Sequence, residues 1–433
     1  MMKQLTRRTL VAVSALVLCA VCPVNRARAN VGDAISNLTI YDAGIAEFHE
    51  ERTLVLQAGL NQLEWRSLMP KAYIRTLRVT ADGAEVIRQD VTYDGADVRN
   101  EKSPVLHLVL RSAAAGAHRV HVDYLAPGIN WQNDYALVLE PTAEGAPPTA
   151  AVLDSWVSVF NNTGTDVSSG LVDLIAGEIA FRLDGNAYNN LRAYAQVAQS
   201  NVAYDEERSA AAPTVAAEVS GVSAFSRFRL GRDLTFNANA PVNRLPLFQR
   251  ARLAVVERNV FENEYNTQTL GRGGFTLLPR GLEVRLVAKN TTEATMPAGE
   301  VTIYARQDEL TQVVGQDRIA LTPPNNEFSV TQGRSATLFG TRRILERRQV
   351  DYRNANGDTR TKLITSVEVV LTNRGRLAAE AYIREGIEGF AENQWTILES
   401  SVPSERLGAS GAQFKVQVPA GGKTTVTYTV ETK

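Results

Sequence analysis

The segment Tyr124–Pro141 carries the residues whose types and spacing are best suited to contact a ligand. Trp131 and Tyr135 offer an aromatic platform, and Asn133 and Asp134 offer polar groups that read the hydroxyls or amides of a sugar or peptide. The two aromatic residues are four apart, so in a strand they share a face, as a pair packed between sheets also would. Two interpretations stay open, a ligand platform and a packed β-corner, and the corner is favoured.

The four histidines offer little for metal binding or acid–base chemistry. His118 and His121 are three apart, which places them on opposite faces of a strand rather than on the one face that a helical zinc motif uses. His107 alternates with Val105 and Val109, which predicts a packed core or edge residue. The sequence therefore predicts no metal site and no cofactor.

The sequence supports a catalytic nucleophile no better than it supports a metal site. The nearest approach to a nucleophile elbow is Gly333–Thr337, in which Thr337 stands where the second glycine belongs, and no strand-to-helix turn is predicted around Ser335. The acidic run Asp205–Glu207 lies in a polar segment and is predicted to be a solvated charge cluster. These observations favour a non-enzymatic protein and leave catalysis open.

The N-terminus has the layout of a secretory signal peptide. A basic start with Arg7 and Arg8 precedes the apolar run Leu10–Val21, and a small-residue cleavage site places the cut between Ala29 and Asn30. Later apolar runs are too short to span a bilayer, so no transmembrane segment is expected in the mature chain. We expect an exported protein, periplasmic or extracellular, with the general secretory route favoured over the twin-arginine route.

Removing this leader changes the chemistry of the chain. Both cysteines, Cys19 and Cys22, lie within it, so the mature protein is predicted to be free of cysteine, disulfides and thiolate sites. The whole chain has 46 Lys and Arg against 47 Asp and Glu, and loss of the basic leader leaves the remainder net negative. A negative chain argues against nucleic acid as a partner.

The remaining sequence alternates with the period of half-buried strands. Val120, Val122 and Tyr124 alternate with polar residues, as do the segments Gln413–Val418 and Thr425–Val430. Frequent turn signals with little helical pattern predict an all-β fold of antiparallel β-sandwich domains. No repeat of 20 to 50 residues is evident, which disfavours a propeller or solenoid.

Turn residues predict three hairpins and the division of the chain. The hairpins join Gln413–Val418 to Thr425–Val430, Ile344–Tyr352 to Thr361–Thr372, and Glu283–Lys289 to Glu300–Arg306. One short helix is predicted at Asn190–Val202. The expected divisions are a signal peptide (1–29), an N-terminal β domain (30–124), a central β region (125–274) with a flexible segment (205–222), and an immunoglobulin-like C-terminal sandwich (275–433) that begins after the Gly271–Gly274 interruption.

Several segments together resemble a bacterial family of exported proteins defined by an uncharacterised domain numbered 4139, which includes mucoidy-inhibitor-like proteins. They are Ile40–Ala46, Tyr124–Tyr135, Val157–Gly177, Arg229–Tyr265 and Leu371–Trp395. Val167 departs from the family pattern, which often has Trp there. The link Val91–Val105 is brief where many relatives carry a long coiled-coil insertion, so this chain resembles a short variant. The resemblance implies an exported β protein and brings no established activity.

The sequence thus predicts an exported cell-envelope protein that binds or scaffolds an envelope protein or a surface polysaccharide, through strand edges or a groove between domains. Two alternatives stay open: a glycan hydrolase with two carboxylates in a cleft, and a periplasmic assembly chaperone with a long unpaired strand edge. The asparagines of the sequons beginning at Asn37, Asn161 and Asn290 are expected to be turn residues, because the leader is bacterial in character.

Overall fold

A computed structural model describes residues 25–26, 35–94, 103–143, 145–177, 179, 181, 218–222, 225–264, 278–307, 310–353, 357–386 and 394–433. Strands dominate this part of the chain, and its one helical element is the 3-10 turn Ile74–Thr76. Most strand pairs are antiparallel. The prediction of an all-β, antiparallel, sandwich-like fold is confirmed. Within the same residues, no helix is long and apolar enough to cross a bilayer.

The chain forms two compact units, and the first contains Phe48–Ala126 with the residues up to Ser36. Strands are numbered in chain order. Those that begin before Pro127 are β1 (Asn25–Arg26), β2 (Ile35–Tyr41), β3 (Ile45–Leu56), β4 (Gly59–Trp65), β5 (Arg78–Ala81), β6 (Ala84–Asp94), β7 (Ser103–Ser112) and β8 (Gly116–Pro127). The order β1-β4-β7-β6 makes a four-stranded sheet, and β5 pairs with β8. Val120, Val122 and Tyr124 are buried on β8, as their alternation predicts.

The second unit contains Asn37–Glu47 and Pro127–Lys433. Its strands after β8 are β9 (Ile129–Leu139), β10 (Ala150–Asn161), β11 (Val167–Ala176), β12 (Glu218–Val222), β13 (Phe225–Phe236), β14 (Asn243–Glu264), β15 (Arg280–Lys289), β16 (Gly299–Gln307), β17 (Leu310–Ile319), β18 (Glu327–Arg353), β19 (Thr359–Asn373), β20 (Ala379–Gly386), β21 (Trp395–Ser400), β22 (Ser404–Leu407), β23 (Gly411–Val418) and β24 (Lys423–Thr432).

One of the three predicted hairpins is confirmed and two are wrong. β18 and β19 pair antiparallel, with Ile344 opposite Val367 and Tyr352 opposite Arg360. By contrast, β15 pairs with β14 and β18 whereas β16 pairs with β9 and β17. Likewise β23 pairs with β20 and β22, and β24 with β19 and β21. In each wrong case the connection is an arch: the chain leaves one strand and enters another that has different pairing partners. A turn sequence does not specify whether the two strands beside it pair.

Three successive groups of four strands repeat one topology, and we call them modules. They are β10-β11-β13-β14, β15-β16-β17-β18 and β19-β20-β23-β24. In each module the first strand pairs antiparallel with the fourth, and the second with the third. The fourth strand of one module also pairs antiparallel with the first strand of the next, which joins the modules into one continuous ladder. The repeat is longer than the 20 to 50 residues for which a sequence is usually searched.

A buried asparagine closes the same turn in every module. Asn161 and Asn373 end their first strands and Asn290 directly follows its own. Each amide donates to the carbonyl four residues later and to the carbonyl of a distant residue. The distant acceptors are Phe236, Thr322 and Val418. We call these three residues the asparagine plugs, because they satisfy buried main-chain carbonyls where the chain passes from one strand to the next. Asn161 and Asn290 are thus turn residues, as expected, whereas Asn37 lies within β2.

Two hydrophobic cores of the second unit are formed by residues that the structure describes. The first is formed around β9, β10, β15 and β16 by Tyr135, Leu137, Leu139, Ala151, Leu153, Leu253, Val255, Leu286, Ala288, Met296, Val301, Ile303, Ile319, Phe328 and Val330. The second is formed around β18, β19, β20 and β24 by Phe261, Leu282, Leu338, Ile344, Val367, Val369, Leu371, Ala381, Ile383, Trp395, Ala412, Phe414, Val416, Val418, Val426, Tyr428 and Val430. The long strands β14 and β18 contribute to both cores.

Several predictions fall on residues outside the described ranges. They are the Gly271–Gly274 boundary, the helix Asn190–Val202, and the cleavage residues Ala29 and Asn30. The prediction that 205–222 is a flexible loop is wrong for its last part, because Glu218–Val222 forms β12 and pairs antiparallel with β13. The ladder hydrogen bonds of β13 stabilise this small-residue segment despite its lack of large apolar side chains.

Candidate functional site

The structure places the residues predicted for ligand contact on two faces of β9. Trp131, Asn133 and Tyr135 are buried, with exposed fractions of 4%, 0% and 3%. Tyr135 donates to the carbonyl of Pro297 at 2.7 Å, and Asn133 Oδ1 accepts from Ser155 at 2.8 Å. This is the inward placement that the corner interpretation describes. Ligand contact by this group stays a prediction.

Asp134 lies on the other face of β9 and is only partly buried. It accepts hydrogen bonds from Ser158 and from Gln132, the latter at 3.3 Å, and Arg244 Nε lies 3.9 Å from its carboxylate. Burial raises the pKa of Asp134, and the hydrogen bonds and Arg244 oppose this shift. The Arg244 guanidinium also lies 5.5 Å from the ring centre of Trp156. Asp134 is therefore separated from the aromatic pair with which the sequence grouped it.

The histidines lie in the first unit and are engaged in separate local contacts. His49 Nδ1 is 2.9 Å from Asp123, and His107 Nε2 is 2.8 Å from Thr92 Oγ1. His118 contacts the Asp82 carbonyl and Ser112, whereas His121 lies 3.7 Å from Glu51. No group of three or more His, Cys, Asp or Glu in the described ranges is arranged to hold a metal ion.

The first unit also contains a buried carboxylate that the sequence did not indicate. Glu50 is 4% exposed and accepts from Trp65 Nε1 at 2.6 Å, from Tyr124 OH at 2.8 Å and from Ser67 Oγ. Arg52 lies 3.9 Å away from Glu50 and stacks 4.1 Å from the Trp65 ring centre. Burial raises the pKa of Tyr124 well above its ordinary value, and the adjacent carboxylate adds to the shift. We call this set the Glu50 cluster.

A groove of about 910 Å³ within the second unit is a further candidate site. Its volume falls within the roughly 300–1,000 Å³ range of small-molecule sites. It is lined by Gly145, Pro147, Glu257, Asn259, Val284, Val314, Gln332, Gly333, Arg334, Ser335, Thr337, Leu338, Asn373, Arg374, Gly375, Arg376, Leu377, Ala378, Ala379 and Glu380. The groove therefore joins β14, the middle of β18 and the turn between β19 and β20.

Glu257 is the half-buried carboxyl group of this groove. Asn259, two residues along β14, donates to Glu257 Oε1 at 3.2 Å and to the Glu380 carbonyl at 3.4 Å. Burial raises the pKa of Glu257, and the Asn259 hydrogen bond opposes the shift only in part. No basic side chain of the described residues forms an ion pair with Glu257. The carboxyl therefore has hydrogen-bonding capacity left for a bound molecule.

Glu380, the second acidic residue of the groove, is saturated by its neighbours. It accepts from Tyr382 OH at 2.5 Å and from Gln417 at 3.4 Å, and Lys415 Nζ lies at 3.0 Å. The Tyr382 hydrogen bond, with the nearby cations, lowers the pKa of Glu380. The two carboxyls thus differ: the Tyr382 hydrogen bond and Lys415 lower the pKa of Glu380, whereas burial raises the pKa of Glu257.

Three arginines add positive charge to the groove. Arg374 lies with its guanidinium 4.8 Å from the Phe339 ring centre, which restrains it by a cation–π contact. Arg334 donates to Glu283 at 3.4 Å, and Arg376 is exposed. Guanidinium groups bind carboxylates and phosphates through paired hydrogen bonds. The groove can therefore hold a polar ligand that carries an anionic group.

Ser335, the serine of the Gly333–Thr337 motif, also lines the groove. Its Oγ accepts from the main-chain amides of Thr337 and Leu338 at 3.2 and 2.9 Å and contacts Thr337 Oγ1. Ser335 therefore bonds within the irregular stretch of β18 where its pairing with β15 shifts register, and its contacts in the described residues include no imidazole or carboxylate base. Sequence analysis named Ser335 only as an incomplete nucleophile motif, and it missed Glu257, whose strand alternates like any other.

Neither the family models nor the curated proteins with which the sequence was compared include a match to this chain. The resemblance to the exported family of domain 4139 therefore stays a prediction.

Proposed function

We propose that this chain is an exported, non-enzymatic binding module of the bacterial cell envelope, and that its groove holds a carboxylated saccharide segment of a surface polymer. The observation that carries the proposal is the combination of three arginines with the hydrogen-bonding groups of Glu257 and Thr337 in one groove. Arginine binds the sugar carboxylate, and the Glu257 carboxyl and the Thr337 hydroxyl bind sugar hydroxyls. The leader sequence and the family resemblance support the envelope location.

The test is calorimetric titration of the whole mature chain with a glucuronic acid tetrasaccharide and with the neutral maltotetraose. We expect the acidic sugar to bind more tightly, and Arg374→Ala to weaken its binding about tenfold, because one charge-assisted hydrogen bond is worth about 1.5 kcal/mol. Arg318→Ala is the matched control, since Arg318 is exposed on β17 and lies outside the groove. Equal binding of both sugars, or an Arg374→Ala variant that binds like the parent, would overturn the proposal.

A glycan hydrolase is the second candidate, because Glu257 and Glu380 line one groove and their pKa values are shifted in opposite directions. Such divergence is the pattern of an acid and an ionised partner in glycosidases. Against it, Tyr382 and Lys415 already engage the Glu380 carboxylate. Release of shorter sugars during the titration, abolished by Glu257→Gln, would replace the binding proposal with this one.

A further inference from the structure

In the second unit a parallel strand completes one edge of β9 and one edge of β14. The corresponding edge of β18 has no such partner in the described residues. The fourth strands β14 and β18 each pair with their own first strand along their beginning, and with the first strand of the next module along the other edge. β14 adds a parallel partner after the pairing with β10 ends: Asn259–Glu264 pairs with Ala381–Gly386 of β20. β20 is the second strand of the third module, whereas β10 and β14 belong to the first module.

β9 follows the same rule. It pairs antiparallel with β10 on one edge, and Asn133–Leu139 pairs in parallel with Gly299–Ala305 of β16. Both parallel partners are second strands of modules, and both bury alternate side chains. The buried residues are Val301 and Ile303 in β16, and Ala381 and Ile383 in β20. In both cases a parallel strand with apolar residues at alternate positions completes the edge of another strand, β9 in one case and β14 in the other.

β18 is the third strand of this kind. Residues 327–340 pair with β15, and residues 338–353 pair with β19. Phe339 and Gly340 pair with both neighbours, so β15 and β19 lie on opposite edges. Beyond Gly340, no strand within the described ranges continues the edge that β15 occupies. β24, by contrast, pairs with β19 along 423–432 and with β21 along 428–432, so its last part is paired on both edges.

The open stretch has a distinct chemical character. Leu345 is 48% exposed, and Arg348 and Arg353 are exposed on the same strand. Arg347 Nε is buried without a hydrogen-bond partner in the described part of the chain, and the nearest carboxylate to Arg348 is Glu346 at 3.9 Å. The stretch also carries two exposed carboxylates, Glu346 and Asp351, the second of which accepts from Thr361. Three arginines against two carboxylates leave it net positive, so with its main-chain donors and acceptors it complements an extended peptide that carries acidic residues.

We propose that the edge of β18 from Leu345 to Arg353 accepts a parallel β-strand from another envelope protein, with apolar residues at alternate positions and acidic residues between them. The strand takes the position that β16 and β20 take on β9 and β14. Its main chain continues the ladder, its apolar side chains pack beside the exposed Leu345, and its carboxylates pair with Arg347, Arg348 and Arg353. This surface is independent of the groove.

The test is fluorescence anisotropy of the full chain with labelled peptides that copy β20, residues 379–386, which has the alternation that the edge requires. We expect the native peptide to bind, a version with glutamate in place of its arginine to bind more tightly, and a scrambled peptide to bind at least tenfold more weakly. The chain variant Arg347→Glu with Arg348→Glu should weaken binding about tenfold or more. Arg318→Glu is the matched control on another exposed strand.

Two results would overturn the proposal. One is equal binding of the native and scrambled peptides to a chain whose circular dichroism is unchanged. The other is concentration-dependent self-association in sedimentation experiments that the Arg347→Glu, Arg348→Glu variant abolishes, because the edge would then belong to a second copy of this chain. Arg318 and Arg348 are exposed and Arg347 is partly buried, so thermal unfolding checks directly that both variants fold.

Discussion

Glu50 in the first unit is buried and Glu257 in the second is half-buried, and their surroundings differ. Glu50 receives hydrogen bonds from an indole, a phenol and a hydroxyl, with an arginine nearby. Glu257 receives one hydrogen bond, from an amide, and lines a groove. A buried carboxyl whose hydrogen-bond partners are all supplied by the fold stabilises the folded state. A half-buried carboxyl with partners missing is available to a ligand, and this difference separates structural from functional carboxyls here.

Removing each carboxyl in turn tests this difference with the largest expected effect on stability. Glu50→Ala should lower the free energy of unfolding by about 3–5 kcal/mol, because Arg52, Trp65 and Tyr124 lose the acceptor that they share. Glu257→Ala should cost less than about 1 kcal/mol, since only Asn259 loses a partner. Urea unfolding followed by tryptophan fluorescence measures both. Equal costs would show that Glu257 is as structural as Glu50.

A smaller change inside the Glu50 cluster sharpens the same point. Tyr124→Phe removes one donor to Glu50 and the acceptor of the Met69 amide, whose nitrogen lies 3.2 Å from the Tyr124 hydroxyl. We expect a loss of about 1.5–3 kcal/mol, because one of these bonds is to a charged group. Tyr352→Phe, in the exposed part of the β18–β19 hairpin, is the control and should change little. A neutral Tyr124→Phe variant would contradict the assignment of the cluster to stability.

The asparagine plugs extend the comparison to uncharged groups. Replacement of Asn161, Asn290 or Asn373 by alanine should each cost about 1–3 kcal/mol, because buried carbonyls lose their donor. Exposed Asn237→Ala is the control and should lie within about 0.5 kcal/mol of the parent. If the three modules are equivalent, the three losses will agree within their errors. One neutral plug would show that its module depends on other contacts.

The smallest expected effect is on the pH dependence of stability. Burial raises the pKa of Glu257 above its ordinary 4.5, so the folded state holds this proton more tightly than the unfolded state does. Stability from this group is therefore full below the ordinary value and is lost as the pH rises through the raised folded pKa. Glu257→Gln should flatten the decline in unfolding free energy over that window. Asp134 shifts in the same direction, so a residual decline is expected.

Strand positions were predictable from sequence, whereas strand partners were predictable only in part. The Ile344–Tyr352 and Thr361–Thr372 segments alternate and pair as predicted. The segments beside Pro419–Gly422 alternate equally well, yet they pair with other strands. Alternation reports which face is buried and carries no information on the neighbour. The plug Asn373 is the better signal, because a buried turn amide marks an arch, but it is recognisable only after the fold is known.

The groove was beyond sequence reasoning for a similar reason. Glu257, Arg334 and Arg374 come from β14, β18 and the turn after β19, and each is an ordinary polar residue of an alternating segment. Only the ladder that joins consecutive modules brings them together. Trp131 and Tyr135 were conspicuous in the sequence because of their size, and burial accounts for their spacing.

Hydrogen–deuterium exchange of the whole mature chain, with and without the glucuronic acid tetrasaccharide, tests the central claim most directly. The groove proposal predicts slower exchange in residues 332–338 and 373–380 on addition of the sugar, with no change around Glu50. Protection confined to other segments, or no protection at a sugar concentration that saturates the calorimetric signal, would contradict it.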